Sequence, residues 1–151
     1  MEKQQRKNVI QEKSFAFAVK IVKFSRFLQM ERKESVLAKQ LLRSGTSIGA
    51  NVEEAIGAHT KKDFAAKMSI SAREARETMY WLRLIHEATT MDNAGLIILM
   101  NECQEILTIL NSIILTARSR LKSGCSSSPD IPHSAFIIQN SEIHRAKRGE
   151  L

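Results

Sequence analysis

The chain contains few of the residues that hold together disulfide-rich or metal-bound domains. Its 151 residues include two cysteines, two prolines, six glycines and one tryptophan, and aromatic residues make up 5%. Cys103 and Cys125 are too few for a disulfide framework, and a chain of this length buries enough surface to fold without disulfides or metal. The composition excludes a disulfide scaffold and a zinc finger, and it predicts one cytoplasmic domain.

Long uninterrupted apolar runs are also missing. The first 13 residues, MEKQQRKNVIQEK, are charged throughout and contain no apolar core of the signal-peptide type. The most apolar stretch, Leu96 to Leu121, is interrupted by Glu102 and Glu105. We therefore predict neither a signal peptide nor a membrane span, and we expect no membrane partner.

Positive charge is concentrated near the N-terminus. The net charge is +7, and residues 1–33 hold nine basic and three acidic side chains. A basic block of this size suits either a solvated, solubilising helix face or a surface that binds the phosphates of RNA or DNA. The candidate nucleic-acid-binding residues are Arg6, Lys7, Lys13, Lys20, Lys23 and Arg26 in this block, and Lys61 and Lys62 further along.

The first helix is predicted over residues 14–32, with Ser14 as its N-cap. Apolar residues recur at steps of four, three and four, which places them on one face; they are Phe17, Ile21, Phe24 and Leu28. A second apolar face carries Phe15, Val19 and Val22. Because one buried side cannot account for both faces, we expect this helix to have two partners.

The second helix is predicted over residues 35–59 and contains the unusual run RSGTSIGAN at its centre. Each glycine inside a helix costs about 1 kcal/mol relative to alanine, so a compensating interaction is expected. Gly45 and Gly49 predict a close helix approach, with Ser44, Ser47 and Asn51 forming hydrogen bonds across the junction. The alternative is a loop, but a phosphate-binding loop would need a GK[ST] sequence and a preceding strand, and neither occurs.

Two more helices follow, over residues 61–88 and 93–122. Thr60 and Asp63 form a box-like start for the third helix, and Asp92 can cap the fourth. Four long helices with short connections predict an all-α, antiparallel up-down-up-down four-helix bundle over residues 14–122. Residues 1–13 form a basic N-terminal arm, and the Ser/Pro-containing residues 123–151 are expected to be a flexible tail.

Two extended segments carry a family resemblance. QLLRSGTSIGANVEEA (residues 40–55) and KMSISAREARETMYWLRLI (residues 67–85), with the opening SFAFAVKIVKF, resemble the four-helix bundle family of proteins encoded in intervening sequences of bacterial 23S rRNA genes. The likeness extends from about Ser14 to Leu121. It implies a bacterial, cytoplasmic protein that forms a homopentameric ring and has no established enzymatic activity.

The resemblance also implies a relation in fold to the accessory proteins of diversity-generating retroelements, which bind nucleic acid and a reverse transcriptase. Carried over to this chain, the family signature comprises residues with structural or interface roles. They are Arg43, Ser44, Gly45, Ser47, Gly49, Asn51, Glu54, Lys67, Glu74, Arg76, Glu77 and Trp81. Glu53 and Met79 depart from the family pattern, which weakens the inference for the charges beside them.

The carboxylates Glu54, Glu74 and Glu77 are the candidates for metal or acid–base chemistry. Bundles with two metal ions use Glu-x-x-His motifs on their helices, and none of the four histidines lies in one within a helix core. We therefore expect these carboxylates to pair with Arg43, Arg73 or Arg76. We predict no catalytic residue, no metal site and no cofactor.

Two further features have both a chemical and a structural interpretation. Cys103 lies on an apolar stripe and is expected to be an unreactive thiol with a raised pKa. Tyr80 and Trp81 could stack on bases, but in so apolar a helix they are more often core or interface residues.

Two functions from different classes are compatible with this sequence. The first is a non-enzymatic homo-oligomer, pentameric by resemblance, that binds RNA or DNA through its basic surface without reading bases. The second is a protein-interaction scaffold whose ring docks a protein partner, such as a reverse transcriptase, and whose charge only keeps it in solution.

Overall fold

The computed structural model describes residues 8–88 and 94–122. These form four helices, α1 (Val9–Met30), α2 (Ser35–Ile56), α3 (Lys61–Ala88) and α4 (Ala94–Lys122), and the described residues contain no strand. Each helix packs against the next one in the chain, and α4 packs against α1 to close the bundle. The predicted all-α four-helix bundle is confirmed. The predicted C-terminal tail lies outside the described residues.

The core is formed by one apolar stripe from each helix, as the three-and-four spacing predicts. The largest fully buried side chains come from all four helices and include Phe17, Ile21, Leu41, Ile48, Met68, Leu82, Leu96 and Leu110. The second apolar face of α1 is not used in this core, because Phe15 is 68% exposed and Val19 is 40% exposed.

Helix α1 begins earlier than the sequence pattern indicated. Its N-cap is Asn8, whose Oδ1 accepts a hydrogen bond from the Gln11 backbone N–H at 3.5 Å. Ser14 is buried within the helix and donates through Oγ to the Gln11 carbonyl at 3.1 Å. The prediction of an arm over residues 1–13 is therefore wrong for residues 9–13. Ile10, which is 2% exposed, continues the apolar stripe by two turns.

Helix α3 starts with the predicted capping interaction. The Thr60 hydroxyl accepts a hydrogen bond from the Asp63 backbone N–H at 3.0 Å and donates one to the Asp63 carboxylate at 2.7 Å. Helix α2 ends at Ile56, three residues before its predicted end at residue 59, and Gly57 is its C-cap. Asp92, the predicted cap of α4, lies outside the described residues.

The two glycines of α2 allow a close approach of α1, as predicted. A Cβ atom built on Gly45 would lie 2.7 Å from Cγ2 of the buried Ile21. A Cβ on Gly49 would lie 3.4 Å from the Ser14 carbonyl oxygen. The absence of side chains at these two positions therefore sets the distance between α1 and α2.

The predicted hydrogen bonds across this junction are wrong for Ser44 and Asn51. Ser44 donates to the Gln40 carbonyl at 3.1 Å, and Asn51 donates through Nδ2 to the Ser47 carbonyl at 2.8 Å, so both bond within α2. Short polar side chains in helices commonly bond the carbonyl one turn earlier. The glycine-containing part of α2 is instead linked to α3, because the Ser71 hydroxyl donates to the Ile48 carbonyl at 2.9 Å.

Helix α4 is long and apolar enough, by length and composition, to cross a membrane over Ala94–Leu121. Its apolar stripe, which includes Leu96, Cys103 and Leu110, is buried against the other helices. Glu102 and Glu105, which interrupt the apolar run, form ion pairs with α1. A bundle helix can pass the same compositional test, and 39% of this apolar window is buried here.

Candidate nucleic-acid interface

The packing of α4 divides the candidate phosphate-binding residues of α1 into two groups. We call these four residues the basic strip; they are Lys13, Lys20, Lys23 and Arg26. Lys13 Nζ lies 3.0 Å from the Glu105 carboxylate, and Lys20 forms an ion pair with Glu102. The two pairs border a cleft of about 160 Å³ between α1 and α4, lined also by Ala16, Phe17 and Ile106. Lys13 and Lys20 therefore already have anionic partners within the chain.

The second half of the strip is free of such partners. Lys23 and Arg26 are exposed and form no ion pair within residues 8–88 and 94–122. Because Gly45 contacts Ile21 in this antiparallel helix pair, Arg26 of α1 and Lys39 of α2 lie at about the same height. Lys39 is also exposed.

The connection between α1 and α2 adds two more exposed cations. Arg32 places its guanidinium 5.9 Å from the centre of the Phe27 ring, and Lys33 has a left-handed backbone conformation, with φ of 56°. Two acidic residues, Glu31 and Glu34, lie in the same segment. We call the five basic residues the hairpin patch; they are Lys23, Arg26, Arg32, Lys33 and Lys39.

The other predicted phosphate ligands do not extend this patch. Lys61 and Lys62 begin α3, at the end of the bundle where α1 also begins. At a rise of about 1.5 Å per residue, Lys23 is roughly 20 Å along α1 from that end. Arg6 and Lys7 lie outside the described residues. Among the described residues, the structure thus places Lys61 and Lys62 at one end of the bundle and Lys23 and Arg26 toward the other, so they do not form one surface.

Several family-signature residues meet in the outer groove between α2 and α3. Arg43 Nη2 lies 3.5 Å from Oε1 of Glu77, which also accepts a hydrogen bond of 3.4 Å from Trp81 Nε1. Lys67 forms an ion pair with Glu54. The predicted pairing with arginine is confirmed for Glu77, whereas Glu54 pairs with a lysine. Because these groups are partly exposed, each pair contributes at most about 1 kcal/mol to stability.

The remaining polar contacts lie elsewhere. Arg76 donates through Nη2 to Asn111 Oδ1 at 3.2 Å, which places it on the α4 side of α3. Glu53 accepts hydrogen bonds of 2.9 and 3.1 Å from the Gln11 side-chain amide, linking α2 to α1. The signature residues therefore do not form one common site.

The thiol and the aromatic pair differ in their surroundings. Burial raises the pKa of the Cys103 thiol to about 12, and its Sγ donates to the Ala75 carbonyl at 3.3 Å, so the predicted buried thiol with a raised pKa is confirmed. Tyr80 is 57% exposed and is therefore not a core residue of the monomer, whereas an interface role for it stays a prediction. Its ring meets that of the half-buried Trp81 edge to face, at 5.0 Å between ring centres.

No group of three potential metal-ligating side chains occurs among the described residues. The described surface instead offers paired charges in the grooves between helices and unpaired cations at the α1–α2 turn. These features define the class of the protein as an antiparallel four-helix bundle with exposed cations at the α1–α2 turn.

Comparison with known proteins identifies the family. A family model described as "23S rRNA-intervening sequence protein" matches residues 6–112, so the chain belongs to this family, as the resemblance predicted. A solved structure from Bacteroides thetaiotaomicron, described as a protein with unknown function from the S23 ribosomal protein family, is 45% identical. The match covers 70% of this chain and 97% of that chain, with a TM-score of 0.68. No curated protein matches the chain.

Proposed function

We propose that this protein is a non-enzymatic, self-associating helical bundle that binds the phosphates of nucleic acid through the hairpin patch. The observation that carries the proposal is the exposure of five basic side chains around the connection between α1 and α2. None of the five forms an ion pair among the described residues. Lys13 and Lys20 are assigned to the α1–α4 contact instead.

The shape of the patch favours contact with the phosphate backbone over base readout. Four of its residues lie on α1 and in the connection, and the fifth lies one turn into α2, so they form a short surface rather than a protruding recognition helix. Phosphate contacts made by lysine and arginine are independent of base sequence and weaken as salt rises. We therefore expect RNA and DNA of mixed sequence to bind with similar affinity.

Self-association would bring several hairpin patches together in one oligomer. Phe15 and Val19 leave an apolar face of α1 uncovered in the monomer, which supports an interface there. The family resemblance implies a pentameric ring. A ring of this kind would carry several hairpin patches and create a stronger positive field than one subunit.

Fluorescence anisotropy with mixed-sequence RNA and DNA at rising salt tests the proposal. The K23Q/R26Q variant removes two of the patch cations. On duplex DNA, the plot of log affinity against log salt should become less steep by about 1.8 for each subunit in contact, because each lost phosphate contact contributes about 0.9 to the steepness. The matched control R73Q/R83Q removes the same charge from exposed positions of α3 and should have little effect. Absence of binding at low salt, or equal losses in both variants, would contradict the proposal.

A protein-docking scaffold remains the second candidate, because Phe15 is a large and exposed aromatic residue. In that case a protein partner, of which a reverse transcriptase is the example implied by the resemblance, should stay bound after nuclease treatment. The F15A/V19A variant should release it. K23Q/R26Q should leave it bound.

A further inference from the structure

The outer face of α4 is an exposed stripe without charge. Its members follow steps of four, three, four, three and four, so they lie on one side of the helix; they are Ile97, Asn101, Gln104, Thr108, Asn111 and Leu115. All six are exposed, including Leu115 at 75% and Ile97 at 42%. The only charged residues between Ala94 and Ala117 are Glu102 and Glu105, which pair with α1. Depletion of charge is typical of the centre of a protein interface.

The side-chain types along this stripe are symmetric about its midpoint. About the midpoint between Gln104 and Thr108, the outermost positions are both aliphatic, Ile97 and Leu115, and the next positions inward are both asparagine, Asn101 and Asn111. A second copy of the helix lying antiparallel would therefore face apolar groups with apolar groups and amides with amides. This is the self-complementarity that a twofold interface requires.

We propose that α4 pairs with α4 of a second copy of this chain, in an antiparallel arrangement whose twofold axis passes between Gln104 and Thr108. Each side chain of the stripe then meets a group of matching polarity. The partner that covers the stripe is a second copy of this chain, because the same helix face contains both residue types of every facing pair. A hydrocarbon environment would not satisfy the side-chain amides of Asn101 and Gln104.

The hydrogen bonds within the monomer leave the required groups available. Asn111 Oδ1 accepts from Arg76 at 3.2 Å, which leaves the Nδ2 group of Asn111 to donate to Asn101 of the second copy. The Thr108 hydroxyl donates to the Gln104 carbonyl at 2.9 Å, which leaves its lone pairs to accept from Gln104 of the second copy. This arrangement gives Arg76, a family-signature residue, the role of positioning Asn111.

Paired cysteines test the geometry directly. In a C125S background, the N101C/N111C variant should form disulfide-linked dimers on mild oxidation. Residues 101 and 111 of one helix are about 15 Å apart and cannot bridge each other, so any such bond joins two chains. In the proposed pairing, residue 101 of one copy is also about 15 Å from residue 101 of the other, so N101C alone should give no dimer. Failure of N101C/N111C to cross-link, or equal cross-linking by the single variant, would overturn the proposal.

Mass in solution provides the second test, since it does not depend on cysteine chemistry. The Q104E/T108E variant places four carboxylates around the twofold axis and should halve the mass measured by light scattering. The control A50E/A66E adds the same charge at exposed positions of α2 and α3 and should leave the mass unchanged. Circular dichroism should show that both variants are folded. An unchanged mass in Q104E/T108E, or a wild-type protein that stays monomeric at high concentration, would refute the pairing.

This contact is independent of the proposed nucleic-acid function, because the hairpin patch and the α4 stripe share no residue. Loss of nucleic-acid binding in K23Q/R26Q is expected to leave the mass in solution unchanged. A failure of the α4 pairing would appear in the cross-linking and the mass. A failure of the nucleic-acid proposal would appear in the anisotropy titration.

Discussion

Replacing Gly45 by alanine tests how closely α1 and α2 pack. The new Cβ would lie 2.7 Å from Cγ2 and 3.0 Å from Cγ1 of Ile21, distances at which one of the two groups must move. Ile21 is fully buried and β-branched, so its rotamer is restricted and the surrounding core limits its displacement. The substitution should therefore push the two helices apart or strain the Ile21 side chain.

Two opposing terms set the size of the effect. Alanine is favoured over glycine within a helix by about 1 kcal/mol. Overpacking a core typically costs about 1 to 3 kcal/mol. Because the contact is shorter than real Cβ atoms allow, we expect the overpacking term to win and Gly45→Ala to lower the free energy of unfolding by about 1 kcal/mol.

Urea denaturation at fixed protein concentration measures this effect, and a double-mutant cycle isolates its cause. Ile21→Ala alone should cost about 2 to 5 kcal/mol. In that background Cγ1 and Cγ2 are gone and only the Cβ of residue 21 remains, at 3.3 Å. Gly45→Ala should therefore change sign and stabilise by up to about 1 kcal/mol. Gly49→Ala is the matched control, because its Cβ would make an ordinary contact at 3.4 Å. If Gly45→Ala stabilises the wild-type chain as much as Gly49→Ala does, Ile21 does not restrict the side chain at position 45 and the reasoning is wrong.

Three further predictions follow from single contacts. Thr60→Ala removes the cap of α3 and should lower the free energy of unfolding by about 1 kcal/mol in urea denaturation, and a neutral result would mean that the hydroxyl is replaced by water. Ser71→Ala removes the hydrogen bond to the Ile48 carbonyl and should cost about 1 kcal/mol by the same assay, whereas a stabilising effect would contradict this. Cys103 should resist thiol reagents at pH 8 in the folded protein, and rapid labelling would contradict its burial. Because the pKa of its thiol is raised from 9.0 to about 12 on folding, its contribution to stability should be complete below pH 9 and be lost as pH rises toward 12, which is measurable by comparing wild-type and Cys103→Ala proteins.

The basic surface shows why a candidate site is harder to predict than a helix. Lys13 and Lys20 lie in the same charge block as Lys23 and Arg26, and nothing in their local sequence distinguishes them. Their acidic partner residues lie far along the chain, with Glu102 separated from Lys20 by 82 positions. Only the closing of α4 against α1 decides which cations are neutralised and which stay exposed.

The glycine run illustrates a partly correct prediction. The spacing of Gly45 and Gly49 indicated a close approach because missing side chains act directly on the distance between helices. The polar residues between and beside them were expected to bond across the junction, but Ser44 and Asn51 satisfy their side chains within α2. A local carbonyl is always within reach of a short polar side chain in a helix, whereas a partner on another helix depends on the packing.

Local patterns in the sequence were sufficient for the four helices, the buried stripe of each helix and the Thr60 cap, because periodicity and capping act over a few residues. The tertiary structure decided where α1 begins its buried contact, which lysines pair with α4, and which faces of α1 and α4 stay uncovered. These features depend on which distant residues meet when the bundle closes. Ion pairing and burial are properties of such contacts, so no local pattern specifies them.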